Sequence, residues 1–252
     1  MSPEGKLTSM VTAEQIAAYK RDGFVHIPAL LSRKEAFAFR DAALSASERL
    51  KALGDDAIFR QLVNVWREDE GMKALTLHPA VAAAAVALAE GPLRVWHDQI
   101  LIKQPGVSKA TEFHQDQPYW PHADGPNPIS CWIALGDVPA ERGCMSFLPG
   151  SHKLTDLAIQ NLADERSLME ICPDLVWYPR VTVPLKAGDV TFHHGRCAHM
   201  AQPNKTDEPR VAHVVIFMNE GTRYTGVGHV ITDGQDLTVG EPLTGDLFPL
   251  FS

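Results

Sequence analysis

Several features that mark specialised classes of protein are scarce in this sequence of 252 residues. Its four cysteines never stand at CxxC spacing, so they indicate neither a zinc ribbon nor a disulfide framework, and reduced thiols are expected. The longest uncharged apolar run, VAAAAVALA at positions 81–89, is far shorter than the roughly 20 residues of a membrane-spanning helix. A membrane protein is therefore not expected.

Positive charge is also in short supply. Lys and Arg total 23 against 31 Asp and Glu, which gives a formal net charge of −8 at pH 7. Proteins that bind nucleic acid place clustered cations against phosphates, so this class of partner is not expected. The opening residues MSPEGKLTSM contain no apolar signal core, and a cytoplasmic protein is therefore predicted.

Helix signals are concentrated in the first third of the chain. Thr12–Gln15 and Ser32–Glu35 are capping boxes, in which two side chains bind the free N–H groups of a first turn. Pro79 suits the first turn of a third helix, and Gly91 suits the position just past its end. The three predicted helices cover about 13–22, 33–53 and 79–90.

From Leu93 onward, short apolar stretches alternate with Pro, Gly, Asn and Asp, which is typical of strands joined by turns. No helical pattern separates the later stretches, so a βαβ architecture is excluded. We predict a mainly β protein with flanking helices, forming one domain over 1–252. Its parts are helices at about 12–91, a sandwich or barrel at about 93–220, and a tail at 221–252. The predicted strands are 94–103, 130–138, 145–148, 181–184, 190–193 and 211–218.

Two regions of this histidine-rich chain suggest a metal site. On a strand, residues two apart point to the same face, so His114 and Asp116 would present an imidazole and a carboxylate side by side. A surface turn would explain the same tripeptide. His199 follows 85 positions after His114, and a distant histidine of this kind completes a two-histidine, one-carboxylate triad that leaves open positions on a non-haem Fe(II). Arg210 is expected on the adjoining strand, where its planar fork suits a carboxylate.

Four segments, taken in order, resemble the phytanoyl-CoA dioxygenase family of Fe(II)/2-oxoglutarate-dependent oxygenases. They are WHDQILIKQPG at 96–106, FHQDQPYWP at 113–121, SCWIALGDVPAERGCMSFLPGSHK at 130–153, and the stretch 188–210. The opening TAEQIAAYKRDGFVHIPALL at 12–31 is similar as well. HxD, PGSH and GD…H…H…N…R are specific only in combination. The resemblance implies a double-stranded β-helix, or jelly roll, with flanking helices.

The same resemblance assigns roles to residues of this sequence. It implies Fe(II) bound by His114, Asp116 and His199, with 2-oxoglutarate and O₂ as co-substrates and Arg210 on the distal carboxylate of 2-oxoglutarate. The expected reaction is hydroxylation of an unactivated C–H bond of a small molecule, with release of succinate and CO₂. Related halogenases lack the carboxylate ligand, so Asp116 favours oxygenation over halogenation.

Other positions are expected to line the site. The resemblance places Trp132 and Gln99 along the co-substrate. The family often has a hydroxyl residue two positions after the second histidine ligand, where this chain has Ala201, so one hydrogen bond to the co-substrate is absent. The substrate is expected to meet four residues, which are Gln117, Tyr119, Trp120 and Asn64.

Further histidines have competing interpretations. His193 and His194 compete with His199 for the third ligand position, but the eleven-residue spacing from His199 to the arginine fits the family motif. A hydrogen-bonded strand histidine explains the other two. His152 is expected to be a turn residue bonded to backbone, and His122 a surface residue.

Two other functions remain open from the sequence. A cupin-like metal enzyme that does not use 2-oxoglutarate could have the same three ligands, although it would leave Arg210 unexplained. A binding protein on the same fold would bind a small molecule without turnover.

Overall fold

The computed structural model describes residues 11–55, 58–158 and 166–252. Within them, the α-helices are α1 (Ala13–Asp22), α2 (Arg33–Arg49), α3 (Glu70–Thr76), α4 (Pro79–Ala89) and α5 (Leu168–Ile171). The strands are β1 (Phe24–Ile27), β2 (Gly54–Asp55), β3 (Arg60–Val63), β4 (Leu93–Lys103), β5 (Thr111–His114), β6 (His122–Ala123), β7 (Ile129–Ala134), β8 (Met145–Phe147), β9 (Val181–Val183), β10 (Val190–His194), β11 (His199–Ala201), β12 (Arg210–Asn219), β13 (Arg223–Tyr224) and β14 (Leu250–Phe251). Short 3₁₀ helices occupy Val65–Arg67, Gln117–Tyr119, Ser151–Lys153 and Pro173–Trp177.

Two antiparallel sheets form the jelly roll, which confirms the predicted fold class. The major sheet has eight strands, with β1-β10-β7-β12-β4-β3-β2 in order and β14 beside the other end of β4. The minor sheet has the order β5-β11-β8-β9, and β13 pairs with β6. From β7 to β12 the chain repeatedly crosses between the sheets, because β7, β10 and β12 belong to the major sheet and β8, β9 and β11 to the minor sheet.

The hydrophobic residues sort into layers. One cluster joins α1, α2, α3 and α4 to one face of the major sheet, through residues such as Tyr19, Leu75 and Leu88 against Val95 and Val215. A second cluster fills the space between the sheets, and a third lies under α5 on the outer face of the minor sheet. The major sheet is therefore covered on both faces, which explains why β12 is apolar over nearly its whole length.

Strand register aligns rows of side chains on the inner face of the major sheet. One row runs His97–Ile216–Ser130–His193–Phe24 across β4, β12, β7, β10 and β1. The next row runs Gln99–Val214–Trp132–Thr191–His26. The candidate site lies between these rows and the minor sheet.

Most of the predicted elements are present, with different ends. α2 ends at Arg49 rather than near 53. α4 ends at Ala89, and its cap is Glu90 in a left-handed conformation (φ 54°) rather than Gly91. The strand predicted over 130–138 spans Ile129–Ala134. α3 and β3 were not predicted. The tail packs back as expected, because Phe248 is fully buried between the sheets.

The segment Glu70–Ala89 has the length and hydropathy of a membrane span. It is divided between α3 and α4 by a break before Pro79, and both helices contribute buried residues to the core against the major sheet. A core helix of this kind passes the same test of length and composition, so the segment is weak evidence for a membrane.

The Gly188-Asp189 turn fixes the N-terminal segment against β10. Gly188 has φ +92°, and its carbonyl accepts from Leu31 N–H at 3.1 Å. Asp189 Oδ1 accepts from Ala29 N–H at 2.8 Å, and its Oδ2 accepts from Lys186 N–H at 2.9 Å. The Gly-Asp pair of the sequence motif is therefore a structural turn, which sets where β10 starts.

Gly188→Ala is expected to destabilise the fold by about 2–3 kcal/mol, because positive φ strains an alanine and its Cβ would lie 2.2 Å from Leu31 O. Gly221→Ala isolates the strain, since Gly221 has φ +86° but open space around its Cβ position. Gly91→Ala is the neutral control. Thermal unfolding of the three variants should show the largest loss of stability for Gly188→Ala, a smaller loss for Gly221→Ala and none for Gly91→Ala. Equal melting temperatures for Gly188→Ala and Gly221→Ala would contradict the contact with Leu31.

Candidate metal centre

His114 and His199 face each other across a strand pair of the minor sheet. They are register partners in β5 and β11, and their ring centroids are 4.3 Å apart. His114 Nδ1 bonds Glu112 O at 2.7 Å, and His199 Nδ1 bonds Cys197 O at 2.9 Å. A backbone bond on Nδ1 fixes the ring and leaves Nε2 for a metal, as in many metal sites. Both rings thus present Nε2 toward the same point.

Asp116 supplies the carboxylate, but it does not continue the strand as the sequence predicted. β5 ends at His114, and Asp116 has helical dihedrals, φ −80° and ψ −48°. The N–H groups of Asp116 and Gln117 both donate to Gly195 O, at 2.9 and 2.8 Å. Pro118 cannot extend a ladder, which favours the turn. This turn, and not strand alternation, brings the carboxylate to the imidazoles.

The three side chains converge. Asp116 Oδ1 lies 3.5 Å from His114 Nε2 and 3.7 Å from His199 Nε2. One ligand atom from each residue lies within 4.8 Å of the others. Among the residues that the structure describes, this group could hold a metal ion. The site sits at the open end of the space between the two sheets.

The electrostatics of the group suit a cation. Burial would raise the pKa of Asp116, but the neighbouring His199 and His114 hold it well below its usual value. Burial, together with His114, lowers the pKa of His199 well below its usual value. For His114, the hydrogen bond and charge of Asp116 outweigh burial and raise the pKa. An ionised carboxylate and a neutral His199 are the forms that bind metal.

Arg210 lies on the inner face of the major sheet, and the expectation of an adjoining strand is wrong. β11 belongs to the minor sheet and β12 to the major sheet, so the chain crosses between sheets in the loop 202–209. Arg210 is 2% exposed, and its Nε and Nη1 have no hydrogen-bond partner. Burial lowers its pKa to about 9. A buried guanidinium with unpaired donors needs an anion.

Trp132 and Lys103 surround this guanidinium. The Arg210 Cζ lies 5.3 Å from the centroid of the Trp132 ring, which is 3% exposed. Lys103 is the register partner of Arg210, is fully buried, and donates to Ile58 O and Lys109 O. Sequence reasoning did not find Lys103.

Gln99 and Ala201 both face the interior. Gln99 shares a row with Trp132, and its Oε1 accepts from Gln61 Nε2 at 3.1 Å. Ala201 is buried in the cluster between the sheets, and its methyl group offers no hydrogen bond. Ala201, where the family often has a hydroxyl residue, is therefore part of the apolar wall of the interior.

The expected substrate residues after Asp116 differ in how free they are. Gln117 is engaged at both ends, since its Nε2 donates to Gly125 O and its Oε1 accepts from Arg196 Nε. Trp120 packs over Gly195 and is 9% exposed. Burial, with the charge of Asp116, raises the pKa of Tyr119 to about 12.

Asn64, which directly follows β3, is also engaged. It has left-handed dihedrals (φ 61°), and its Oδ1 accepts from Trp66 Nε1 at 3.1 Å. The loop is anchored to β4, because Asp98 accepts from Trp66 N–H and from Thr76 Oγ1, both at 3.0 Å. Asp98 is fully buried on the helix side of the sheet, and burial raises its pKa to about 7.

The remaining histidines follow the predictions in part. His194 bonds Pro126 O and Arg196 N–H, and His152 bonds Lys20 O, so both are backbone-bonded as expected. His122, expected at the surface, is half-buried, with its Nε2 buried and its ring 4.4 Å from that of Trp96.

His193 was expected to be hydrogen-bonded in its strand, and this is wrong. Neither ring nitrogen has a hydrogen bond, and the side chain is buried on the inner face. Ser130, its register partner in β7, donates to Asp116 Oδ2 at 2.9 Å and was not predicted either. Its position two residues before Trp132 is the signal that would have placed it on the same face.

A jelly roll with two histidines and one carboxylate at its mouth defines the class of non-haem iron enzymes. The model of the phytanoyl-CoA dioxygenase (PhyH) family matches residues 19–212. The carbocyclase SnoK from nogalamycin biosynthesis, a non-haem α-ketoglutarate-dependent enzyme, is 37% identical, covers 98% of this chain and all of its own, and superposes with a TM-score of 0.88.

Two further relatives agree. The epimerase SnoN, solved with Fe³⁺, α-ketoglutarate and nogalamycin RO, is 35% identical over 94% of this chain and 97% of its own, with a TM-score of 0.84. Peroxisomal phytanoyl-CoA dioxygenase from Mus musculus is 26% identical over 81% of this chain and 67% of its own length. The chain thus belongs to the phytanoyl-CoA dioxygenase family, and it is an Fe(II)/2-oxoglutarate-dependent oxygenase.

Proposed function

We propose that His114, Asp116 and His199 bind Fe(II), and that the enzyme hydroxylates an unactivated C–H bond of a small molecule. The observation that carries this proposal is the convergence of the three ligand atoms within 4.8 Å. Two imidazoles and one carboxylate leave positions open for a chelating co-substrate and for dioxygen. The backbone bonds on both Nδ1 atoms support the same assignment.

Arg210 is proposed to bind the distal carboxylate of 2-oxoglutarate. Its unpaired Nε and Nη1 atoms are buried, so a carboxylate would satisfy donors that otherwise lack partners. Trp132 stacks beside the guanidinium and excludes water from it, and Gln99 continues the same wall. The apolar interior around Ala201 keeps this region dry, which strengthens the charge interaction.

The residues around the metal divide the remaining work. When bound, Fe(II) with 2-oxoglutarate and O₂ supplies the oxidising power for C–H cleavage, and succinate and CO₂ are released. Tyr119 and Trp120 are proposed to contact substrate, because they follow Asp116 directly and present aromatic surface with a polar tip. Gln117 and Asn64 are proposed to act at the margin of the substrate site, since their polar ends are already paired.

A second outcome at the same centre is ring closure or epimerisation. Two relatives that are 35–37% identical over at least 94% of this chain are described as a carbocyclase and an epimerase. Such reactions share hydrogen abstraction with hydroxylation but add no oxygen to the substrate. Ring closure consumes the oxidising power by removing two hydrogens, and the oxygen atom leaves as water, whereas epimerisation returns a hydrogen to the carbon and requires an external reductant such as ascorbate. The two proposals therefore differ in the mass of the product.

Product mass separates these outcomes. Purified enzyme with Fe(II), 2-oxoglutarate, ascorbate as reductant and ¹⁸O₂ is incubated with a panel of polycyclic and amino-acid small molecules, and nogalamycin RO is the first probe. Hydroxylation predicts one ¹⁸O atom in the product for each succinate released. A product of unchanged mass, or one lighter by two hydrogens, with stoichiometric succinate would contradict hydroxylation and favour the second outcome.

Asp116→Ala is expected to abolish tight Fe(II) binding, because it removes the anionic ligand. Anaerobic titration with Fe(II) and then 2-oxoglutarate measures this loss through the visible charge-transfer band of the chelate. Asp41→Ala, an exposed acid on α2, is the matched control and should titrate like the wild type. A normal band in Asp116→Ala would remove this residue from the ligand set.

Arg210→Ala is expected to raise the 2-oxoglutarate concentration at half-saturation by about 10–100-fold, since a charge-assisted pair contributes roughly 1.5–3 kcal/mol. Iron affinity without co-substrate should not change. Arg210→Lys should recover only part of the affinity, because an ammonium cannot make the bidentate contact. Arg223→Ala, at an exposed arginine, is the control. An unchanged half-saturation point in Arg210→Ala would refute the assignment.

A further inference from the structure

The two oxygens of Asp116 face different partners. Oδ1 points toward His114 Nε2 and His199 Nε2, at 3.5 and 3.7 Å. Oδ2 accepts from Ser130 Oγ at 2.9 Å and lies 3.5 Å from His193 Nε2. The carboxylate thus stands between the proposed iron ligands, which belong to the minor-sheet side, and a second pair of donors on the major sheet.

This second pair is built into the sheet. Ser130 in β7 and His193 in β10 are direct register partners, so their side chains stand next to each other on the inner face. The same row continues to Ile216 and His97 on one side and to Phe24 on the other. A slip of one residue in either strand would turn that strand's side chain to the helix side, away from Asp116.

His193 has little else to do where it lies. Its side chain is 2% exposed, its Nδ1 and Nε2 make no hydrogen bond, and rings flank it, with His199 at 4.4 Å and Phe147 at 5.5 Å between centroids. A buried imidazole without partners is costly, so such a residue in a native core calls for a specific explanation. A small rotation of the ring would bring Nε2–H onto Asp116 Oδ2.

We propose that Ser130 and His193 are positioning residues that bind Asp116 Oδ2 and hold the carboxylate as a one-oxygen ligand through Oδ1. The inference rests on the proposed function, since it requires Asp116 to bind iron. A carboxylate that turned to chelate through both oxygens would take up a position that the co-substrate or dioxygen needs. Hydrogen bonds to the outer oxygen prevent that turn and fix the direction of the ligand.

Two substitutions test the roles of Ser130 and His193 separately. Ser130→Ala and His193→Phe remove the donors and retain volume, and Ser146→Ala is the matched control, because this buried serine bonds Thr182 in the minor sheet and lies away from Asp116. Fe(II) dissociation constants are measured anaerobically by competition with a chelator. The charge-transfer band with 2-oxoglutarate is recorded for each variant, and the melting temperature of the metal-free protein reports on folding.

Each deletion is expected to weaken Fe(II) binding about 10–100-fold and to shift the band, while Ser146→Ala leaves both unchanged. Ser130→Thr keeps the hydroxyl and should behave like the wild type. His193→Gln places an N–H near the Nε2 position and should recover affinity, whereas His193→Asn places one near Nδ1 and should not. If Ser130→Ala or His193→Phe lowers the melting temperature, the comparison of Fe(II) affinity between His193→Gln and His193→Asn is the test.

The outcomes distinguish this inference from the proposed function. Wild-type iron affinity in Asp116→Ala would overturn the proposed ligand set, and the inference with it. Loss of affinity in Asp116→Ala, with wild-type affinity and band in Ser130→Ala and His193→Phe, would overturn the inference alone. Equal affinities for His193→Gln and His193→Asn would overturn the role of His193. In the Asp116→Ala background, Ser130→Ala should add no further loss.

Discussion

The pairing of β5 with β11 is the constraint on which the candidate site depends. It places His114 opposite His199, although 85 positions of sequence separate them, and it fixes the distance between their rings. Backbone carbonyls then lock both rings through Nδ1. Because the pair sits within a ladder that continues to β8 and β9, the ligand geometry inherits the rigidity of a sheet. The third ligand comes from a turn, but that turn is itself bound to the end of β10 through Gly195 O.

The interior between the sheets is organised around a shortage of partners. Arg210, Thr191 and His193 each have buried polar atoms that make no hydrogen bond, and all three lie on the inner face of the major sheet. Buried polar groups in native proteins normally find partners, so unpaired groups that face this interior are candidates for binding a ligand or supporting a ligand-binding residue. On the helix side of the same sheet, Thr76 Oγ1 bonds both Asp98 Oδ2 and His213 Nε2, while Asp98 Oδ1 and His213 Nδ1 make no hydrogen bond.

The sequence predicted the composition of the site better than its geometry. The ordered motifs selected His114, Asp116 and His199, and both capping boxes were correct, because these signals are local or belong to one family pattern. The route of the chain was not accessible in the same way. Asp116 lies in a turn just after β5, and this turn is held by hydrogen bonds to the carbonyl of the distant Gly195. Arg210 reaches the interior from the opposite sheet. Strand order is set by contacts between distant segments, and single-sequence patterns do not encode it. Ser130 and His193 were not predicted for the same reason. What singles them out is their pairing with each other across β7 and β10 and their contacts with Asp116.

In the proposed function, reaction chemistry and substrate choice fall to different parts of this fold. The ligands, Arg210 and the inner rows lie on paired strands or are bound to them, whereas Tyr119, Trp120 and Asn64 belong to short helical turns and loops. Loops tolerate change more readily than paired strands, so one iron centre can serve substrates of different shape without losing its geometry. Relatives with the same fold are described as a carbocyclase and an epimerase, and a fixed centre with variable loops accounts for that range. Under the proposed function, the turn after Asp116 would set the direction in which a C–H bond is presented to the iron, because that turn joins the proposed metal ligand to Tyr119 and Trp120.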